Sequence, residues 1–338
     1  MTDPTAAASR RGRPARRRSA AAALAAAASL ALAAACGAPA GFSGSGQQAP
    51  PVQPGSVATG SALAQPSAGA TPDCNPDQIS LAPDALDATS ADVEKIKQRG
   101  KLVVGVSEDG YLTGYVDASG EEQGFDIDIA RQVENAVFGT TDDAHIEFKS
   151  VSLAQRITDL ENGSVDIVVD TMTITCDRAD EIGFSSVYYD AHQRLLVLRD
   201  SGIASAADLT AANTVCVQSG STSVQPLLAL PHPPKIYQVT DLSDCLVALQ
   251  QGQVDAVSTD DTILAGLAEQ DPNTEVVGPP MADDPYGIGV AKGATDLERY
   301  VNGVLAQISG NGTWVSIYNR WFASSLGSAQ PPVAQYAD

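Results

Sequence analysis

One short pattern occurs twice in this chain and limits the folds open to it. DLENGSVDIVVD covers 159–170 and ALQQGQVDAVSTD covers 248–260, and in each a helical pattern ends at a Gly before Val-Asp and a short apolar run. Glycine commonly ends helices, and apolar runs of this length are typical of strands. A helix–Gly–strand unit that recurs about 89 residues later predicts two lobes of similar construction.

The rest of the chain alternates in the same way. KLVVGVS (101–107) is a run typical of a buried strand, and helical patterns cover 125–138, 153–163 and 242–252. This alternation predicts an α/β fold with mostly parallel sheets. Ligands of such sheets bind at the carboxyl ends of the strands, which is where Thr171, Thr173 and Asp260 lie.

The N-terminal part has a different character. A basic run at 10–18 and an Ala/Leu-rich stretch at 19–35 are typical of an export signal. The signal ends in LAAACG, which is similar to a bacterial lipobox that would place a lipid on Cys36, although Ala33 stands where Leu is usual. Ordinary cleavage beside an incidental Cys is the alternative. Residues 37–72 carry no charge and are rich in Gly, Ser, Pro and Ala, which predicts a flexible tether.

The net charge restricts the partners. The whole chain carries −21, and because residues 1–35 hold six Arg and one Asp, removing them leaves −26. Such a charge argues against nucleic acid or an anionic membrane surface as a partner. An anionic ligand would need a local basic pocket that overcomes the repulsion from this net negative charge. Each Arg near the predicted site is therefore evidence about whether such a pocket exists.

The cysteines and histidines do not predict a metal site or any cofactor. Four Cys follow Cys36, at 74, 176, 216 and 245, and an even number in an exported protein predicts two disulfides with three possible pairings. The chain has no CxxC motif and only three His, none with an evident nucleophile beside it. It also lacks GxSxG, HExxH and a phosphate loop, so catalysis finds little support.

Arg178 is the central candidate for binding a small anion. It follows the alternating Thr171, Thr173 and Thr175, whose hydroxyls and backbone N–H groups could surround a carboxylate that the guanidinium holds. The alternative is a surface Arg paired with acids of its own segment, namely Asp177, Asp180 or Glu181.

Other candidates stand at neighbouring positions of the predicted sheet. Asp260 could accept an ammonium or cap the following helix, and QSGSTS, which contains Ser221 and Thr222, suits either an anion or an ordinary turn. Arg156 could pair with acids of its own helix or turn inward, and Tyr111 could pack over a ligand or cover its loop. Asp283 and Asp284 are interpreted as a loop before a strand, YGIGVAK.

Residues 100–323 resemble the extracellular solute-binding proteins for polar amino acids that feed bacterial ABC importers. The resemblance lies in GFDIDIA, TITCDRADEIGFS, VQSGSTS, ALQQGQVDAVSTDD and PYGIGVAK, which occur in this order. It is strongest to glutamine- and glutamate-binding lipoproteins of high-GC Gram-positive bacteria. It implies a periplasmic-binding-protein type II fold, in which two lobes joined by a two-strand hinge close over one amino acid.

The resemblance also implies a division of the chain. After the signal (1–35), the lipidated Cys and tether (36–72) and an N-terminal extension (73–100), lobe 1 would comprise 101–193 and 286–326, lobe 2 would comprise 194–285, and 327–338 would be a tail. The implied disulfides are Cys216–Cys245 and Cys74–Cys176. The implied protein is a monomer held by the lipid on Cys36 at the outer face of the cell membrane.

By position, the resemblance assigns roles to individual residues. Arg178, with Thr173 and N–H groups near Ser221 and Thr222, would hold the ligand α-carboxylate, while Asp260 and the backbone of Thr171 would bind the α-ammonium. Arg156 would contact the distal group, and Ser107 stands where some relatives carry a second basic residue. A single basic side chain for the distal group, that of Arg156, predicts glutamate or aspartate as ligand ahead of glutamine or asparagine.

Two other functions remain to be distinguished. The same receptor could report to a membrane signalling protein instead of an ABC permease. The fold also occurs as a dehydratase, which would need a catalytic acid or base in the cleft. We therefore expect a binding protein and not an enzyme.

Overall fold

The computed structural model describes residues 56–58, 74–86 and 90–338. The predicted signal, Cys36 and most of the predicted tether lie outside these residues. Among the helices of the described part, none is long and apolar enough to cross a membrane.

The described chain alternates strands and helices, as its sequence predicts. The helices are α1 (Ala91–Arg99), α2 (Phe125–Phe138), α3 (Arg156–Glu161), α4 (Cys176–Glu181), α5 (Val224–Leu228), α6 (Ser243–Gln250), α7 (Asp261–Gln270), α8 (Thr295–Gly310), α9 (Thr313–Trp321) and α10 (Ala323–Leu326). The strands are β1 (Ser56–Ala58), β2 (Leu102–Val106), β3 (Asp109–Gly110), β4 (Gly114–Val116), β5 (Glu122–Gln123), β6 (Ile146–Ser150), β7 (Ile167–Val168), β8 (Gly183–Phe184), β9 (Tyr189–Leu198), β10 (Thr214–Gln218), β11 (Lys235–Val239), β12 (Ala256–Asp260), β13 (Thr274–Tyr286) and β14 (Gly289–Val290).

Two larger sheets form the centres of the two predicted lobes. The first has the order β6-β2-β7-β14-β8, and the second has the order β1-β11-β10-β12-β9-β13; β3, β4 and β5 form a small third sheet. In the first, β2 is parallel to β6 and β7, while β14 is antiparallel to its neighbours. In the second, β10 is parallel to β11 and β12. Each sheet is therefore mixed, with a parallel centre.

The antiparallel pairing of β9 with β13 follows from how the chain passes between the two sheets. β9 and β13 pair from Tyr189↔Tyr286 to Leu198↔Thr274, with an irregularity between Val277 and Ala282. The predicted lobe boundaries, after 193 and after 285, fall within these two strands. A chain that leaves a lobe along β9 and returns along β13 must run antiparallel to itself there.

The loop predicted at Asp283 and Asp284 is wrong. Both residues lie in β13, where they pair with His192 and Ala191 of β9. Pro279 and Pro280 precede the two Asp, and prolines in a short sequence window favour a loop. In the structure both prolines lie in the irregular part of β13, where the ladder of backbone hydrogen bonds is interrupted.

The two disulfide pairs that the resemblance implied are both present. Cys74–Cys176 ties the segment before α1 to the first residue of α4, and Cys216–Cys245 joins β10 to α6. The first bond is relevant to the site because α4 also carries Arg178.

An aromatic cluster packs α2, α9 and the start of β9 against one another. Phe125 contacts Tyr188, Tyr189, Trp314 and Phe322 with ring centroids 4.9–6.2 Å apart. All five side chains are buried. This core fixes the part of lobe 1 that adjoins β9, the first of the two strands that connect the lobes.

Candidate ligand-binding site

The candidate site lies where loops at the carboxyl ends of β7, β10 and β12 meet. It encloses about 20 Å³, which is close to the room that one water needs. The lining residues are Leu153, Arg156, Thr171, Thr173, Arg178, Gln218, Ser221, Thr222, Ser223, Thr259, Asp260 and Ile263.

Arg178 is held by backbone oxygens and not by the acids of its own segment. Its Nη1 donates to the Thr173 carbonyl (2.7 Å) and its Nη2 donates to the Gly220 carbonyl (3.1 Å). The Thr175 hydroxyl accepts from the Arg178 amide (3.2 Å) and so begins α4. The guanidinium thus spans the two lobes, and a guanidinium has further N–H donors with which to hold a ligand.

The Arg178 side chain keeps its charge at neutral pH. Burial and the nearby Arg156 lower its pKa to about 9, while the carboxyls of Asp260, Asp284 and Asp170 raise it. These groups bring three acids and two bases to one small space. The cavity is therefore polar and charged despite the strongly acidic surface of the molecule.

Arg156 turns inward instead of pairing with acids of its helix. It is 2% exposed, donates from Nη1 to the Asp170 carbonyl (2.9 Å) and lies 3.7 Å from Asp170 Oδ2. Burial raises the pKa of Asp170 to about 7, against the opposing effect of Arg156. Oδ2 of Asp170 is buried and has no hydrogen-bond partner in the described chain.

Thr171 adopts a backbone conformation that is rare for its residue type. Its φ is 41°, and its amide donates to Asp126 Oδ2 (2.7 Å), while the Tyr188 hydroxyl donates to Asp126 Oδ1 (2.8 Å). A β-branched residue in the left-handed region is strained and is commonly found at binding sites. Asp126 holds this turn, a role that the sequence alone did not reveal.

Asp260 is buried at the end of β12 and does not cap α7 with its side chain. Its Oδ2 accepts the Tyr286 hydroxyl (2.7 Å), and burial raises its pKa well above the ordinary value. The capping alternative is therefore wrong for the side chain. Asp261 instead accepts from the Thr262 amide (2.9 Å).

Thr222 connects three parts of the site. Its hydroxyl donates to Asp284 Oδ1 (3.0 Å) on β13 and lies 3.4 Å from the Thr173 hydroxyl of the first lobe. Ser221 donates to the Gln218 carbonyl (2.7 Å) and shapes the same turn. A loop predicted at Asp284 hides this contact, and the aromatic Tyr286 two positions later is the sequence signal for a strand at Asp284.

Two of the predicted residues lie outside the cavity lining. Ser107 donates to Asp109 Oδ1 (2.7 Å) beside a separate surface depression. The Tyr111 ring contacts Tyr115, with centroids 5.0 Å apart, and its carbonyl faces Gly266 of α7. A direct contact of either side chain with a ligand remains a prediction.

The family model that matches residues 102–324 is that of the bacterial extracellular solute-binding proteins, family 3. The chain belongs to this family. Apart from β1, the match covers both sheets, and it includes both hinge strands and every predicted ligand-binding residue.

Named relatives agree with this assignment. The chain is 39% identical over 227 residues to the ABC transporter glutamine-binding protein GlnH of Bacillus subtilis, covering 67% of this chain and 82% of that one. It is 30% identical over 239 residues to the glutamate-binding protein GluB of Corynebacterium efficiens, covering 68% and 80%. Both relatives are named as binding proteins and not as enzymes, and this family member likewise is not an enzyme.

A solved structure supports the fold. The solute receptor for L-cysteine of Neisseria gonorrhoeae superposes with a TM-score of 0.63 at 29% identity, covering 70% of this chain and 95% of that one. The described chain therefore has the two-lobe α/β fold that its repeated unit predicts.

Proposed function

We propose that this protein captures a polar or acidic amino acid outside the cell by hinged closure of its lobes and presents it to an ABC importer. The observation that carries the proposal is that a buried Asp260 and Arg178 line the same cavity. An α-amino acid carries an ammonium and a carboxylate on the same carbon atom, and these two side chains offer the opposite charges within one narrow space.

The main-chain groups of the ligand would be bound from both lobes. Arg178 and Thr173 from the first lobe, with amides near Ser221 and Thr222 from the second, would hold the α-carboxylate. Asp260 and the Thr171 backbone would bind the α-ammonium. The cavity lining, which includes all six residues, supports this arrangement.

The ligand side chain would meet Arg156. A buried guanidinium 3.7 Å from the Asp170 carboxyl suits glutamate or aspartate first and glutamine or asparagine second. Glutamine- and glutamate-binding relatives both support this ligand class. A receptor that reports to a membrane signalling protein would use the same site, so co-purification of the native protein with its membrane partner distinguishes the two roles.

A thermal-shift screen against the common amino acids tests the proposed ligand class. Ligand that binds only the folded state raises the melting temperature by mass action. We expect L-glutamate and L-aspartate to give the largest shifts and L-glutamine and L-asparagine smaller ones. No shift with any amino acid contradicts the proposed function, and a large shift with L-glutamine alone reverses the proposed order.

We also propose that a lipid on Cys36 anchors the protein to the outer face of the membrane. LAAACG followed by a long uncharged segment supports this anchor. The Cys36→Ala variant should move from the membrane fraction to the medium. If it stays with the membrane to the same extent as the wild type, the anchor lies elsewhere.

A further inference from the structure

Two buried carboxyl groups contact each other at the end of the candidate site. Asp260 ends β12, Asp284 lies in β13, and both strands pair with β9, on its two sides. Asp284 is opposite Ala191 of β9, and Asp260 is opposite Gln193 of the same strand. Asp260 and Asp284 are 4% and 3% exposed, and their side chains hydrogen-bond to each other.

The other oxygens of this pair already have donors. The Tyr286 hydroxyl donates to Asp260 Oδ2 (2.7 Å), and the Thr222 hydroxyl donates to Asp284 Oδ1 (3.0 Å). Oδ2 of Asp284 has no N–H or O–H donor in the described chain. Because two carboxylates in contact repel each other, the contact between Asp260 and Asp284 needs a proton that the two groups share.

The charged groups around Asp260 and Asp284 do not remove the need for a shared proton. Arg178 on α4 and Arg156 on α3 are the cations that act on it, whereas Asp261 on α7 adds a further negative charge beside Asp260. Asp170 at the end of β7 acts on both guanidiniums. Burial raises the pKa of Asp260 and of Asp284, which agrees with a shared proton.

We propose that Asp260 and Asp284 hold one proton between them in the ligand-free protein and release it to solvent when a ligand ammonium binds to Asp260. Asp284 is then a residue that sets ligand affinity and its pH dependence, although the ligand itself contacts Asp260. This inference rests on the proposed amino-acid binding. One O–H bond breaks, the ammonium keeps its three protons, and its charge takes the place of the released proton.

The release of a proton on binding fixes the direction in which ligand affinity changes with pH. The pair is protonated when free and ionised when bound, so the bound protein holds one proton fewer. Affinity should therefore rise with pH, by up to about tenfold per unit while the free pair keeps its proton, and level off above that range.

The substitution Asp284→Asn removes the need for the proton. The amide can donate N–H to Asp260 and accept from Thr222, so Asp260 can ionise without a carboxyl beside it that shares its proton. Asp283→Asn is the matched control, because it makes the same chemical change one residue earlier. The Asp283 side chain is 87% exposed and contacts His192 Nδ1 (3.0 Å) on the surface.

Calorimetry with L-glutamine in buffers of different ionisation enthalpy counts the protons released. L-Glutamine has no side-chain carboxyl that could contribute to the count. We expect about one proton from the wild type and from Asp283→Asn, and close to none from Asp284→Asn. Binding to the wild type without proton release overturns the proposal, whether or not the variant folds.

An infrared measurement tests the pair without any ligand. At about pH 8, above the ordinary range for carboxyl groups, the wild type and Asp283→Asn should show the carbonyl band of a protonated carboxyl that Asp284→Asn lacks. Equal bands in all three proteins overturn the proposal. If L-glutamine and L-glutamate give no binding heat while the band difference is present, the proposed ligand class fails and the acid pair stands.

Discussion

Arg156 illustrates how a single residue can decide the choice of ligand. Its guanidinium is buried beside Asp170, whose pKa of about 7 makes that carboxyl partly protonated near neutral pH. When Asp170 is protonated, Arg156 keeps a full unpaired charge for a ligand carboxylate. When Asp170 is ionised, the pair is closer to neutral and an amide ligand loses its disadvantage.

The substitution Arg156→Ala should therefore change selectivity more than overall binding. We expect affinity for L-glutamate to fall by roughly one hundredfold, about 3 kcal/mol for a charged hydrogen bond, and affinity for L-glutamine to fall less. Competition titrations with both amino acids measure the ratio. Equal losses for the two ligands would show that Arg156 only supports the fold of the site.

At this scale the sequence predicted residues that line the cavity, and it missed residues that hold the site from a distant segment. Asp260 ends β12 and Arg178 lies in α4, which follows β7 along the chain, so both are near the carboxyl ends of strands, where α/β sheets bind their ligands. Asp126 is 45 positions from its partner Thr171, and Asp284 is 62 from Thr222. No local pattern reports such contacts, because tertiary packing creates them.

Helix α7 depends on one glycine for its position. A Cβ on Gly266 would lie 2.0 Å from the Tyr111 carbonyl oxygen of the first lobe. Only a residue without a side chain permits this approach. Since Asp260 directly precedes α7, the contact also positions the residue proposed to bind the ammonium.

We expect Gly266→Ala to push α7 away from the loop at Tyr111 and weaken ligand binding by at least about tenfold, or 1.4 kcal/mol. Calorimetry of the variant measures the loss. Gly310→Ala is the control, because Gly310 lies in α8 with nothing within 4 Å of its added Cβ, and it should bind as the wild type does. Normal affinity in Gly266→Ala would contradict this role for α7.

Elements with a complete local pattern were predicted best. Helix α2 has the predicted bounds, since an apolar face runs from Phe125 and Gly139 ends it in the left-handed conformation. The strand predicted over 165–170 is limited to Ile167–Val168. The Asp166 carboxylate accepts the Val103 amide before β7 (2.8 Å), and the chain turns at Thr171 after it.

At the scale of the whole molecule, the negative charge opposes an anionic ligand. With −21 on the full chain and −26 after loss of residues 1–35, L-glutamate approaches a repulsive field, whereas L-glutamine carries no net charge. Salt screens this field over about 10 Å at 0.1 M.

Association of L-glutamate should consequently become faster as salt rises from about 20 mM to about 500 mM, by a few-fold, with little change for L-glutamine. Stopped-flow measurements of both ligands under the same conditions test this contrast. A rate for L-glutamate that falls with salt would indicate that the local field of Arg156 and Arg178 dominates the approach.

We propose that the two lobes form a clamp in which Arg178 binds the ligand carboxylate. The most direct test of this proposal is calorimetric titration of Arg178→Ala beside the wild type, using the amino acid that gives the largest thermal shift. Loss of the guanidinium should abolish measurable binding of every amino acid, while the melting temperature without ligand stays near that of the wild type. If Arg178→Ala binds the same amino acid with wild-type affinity, the clamp assignment is wrong.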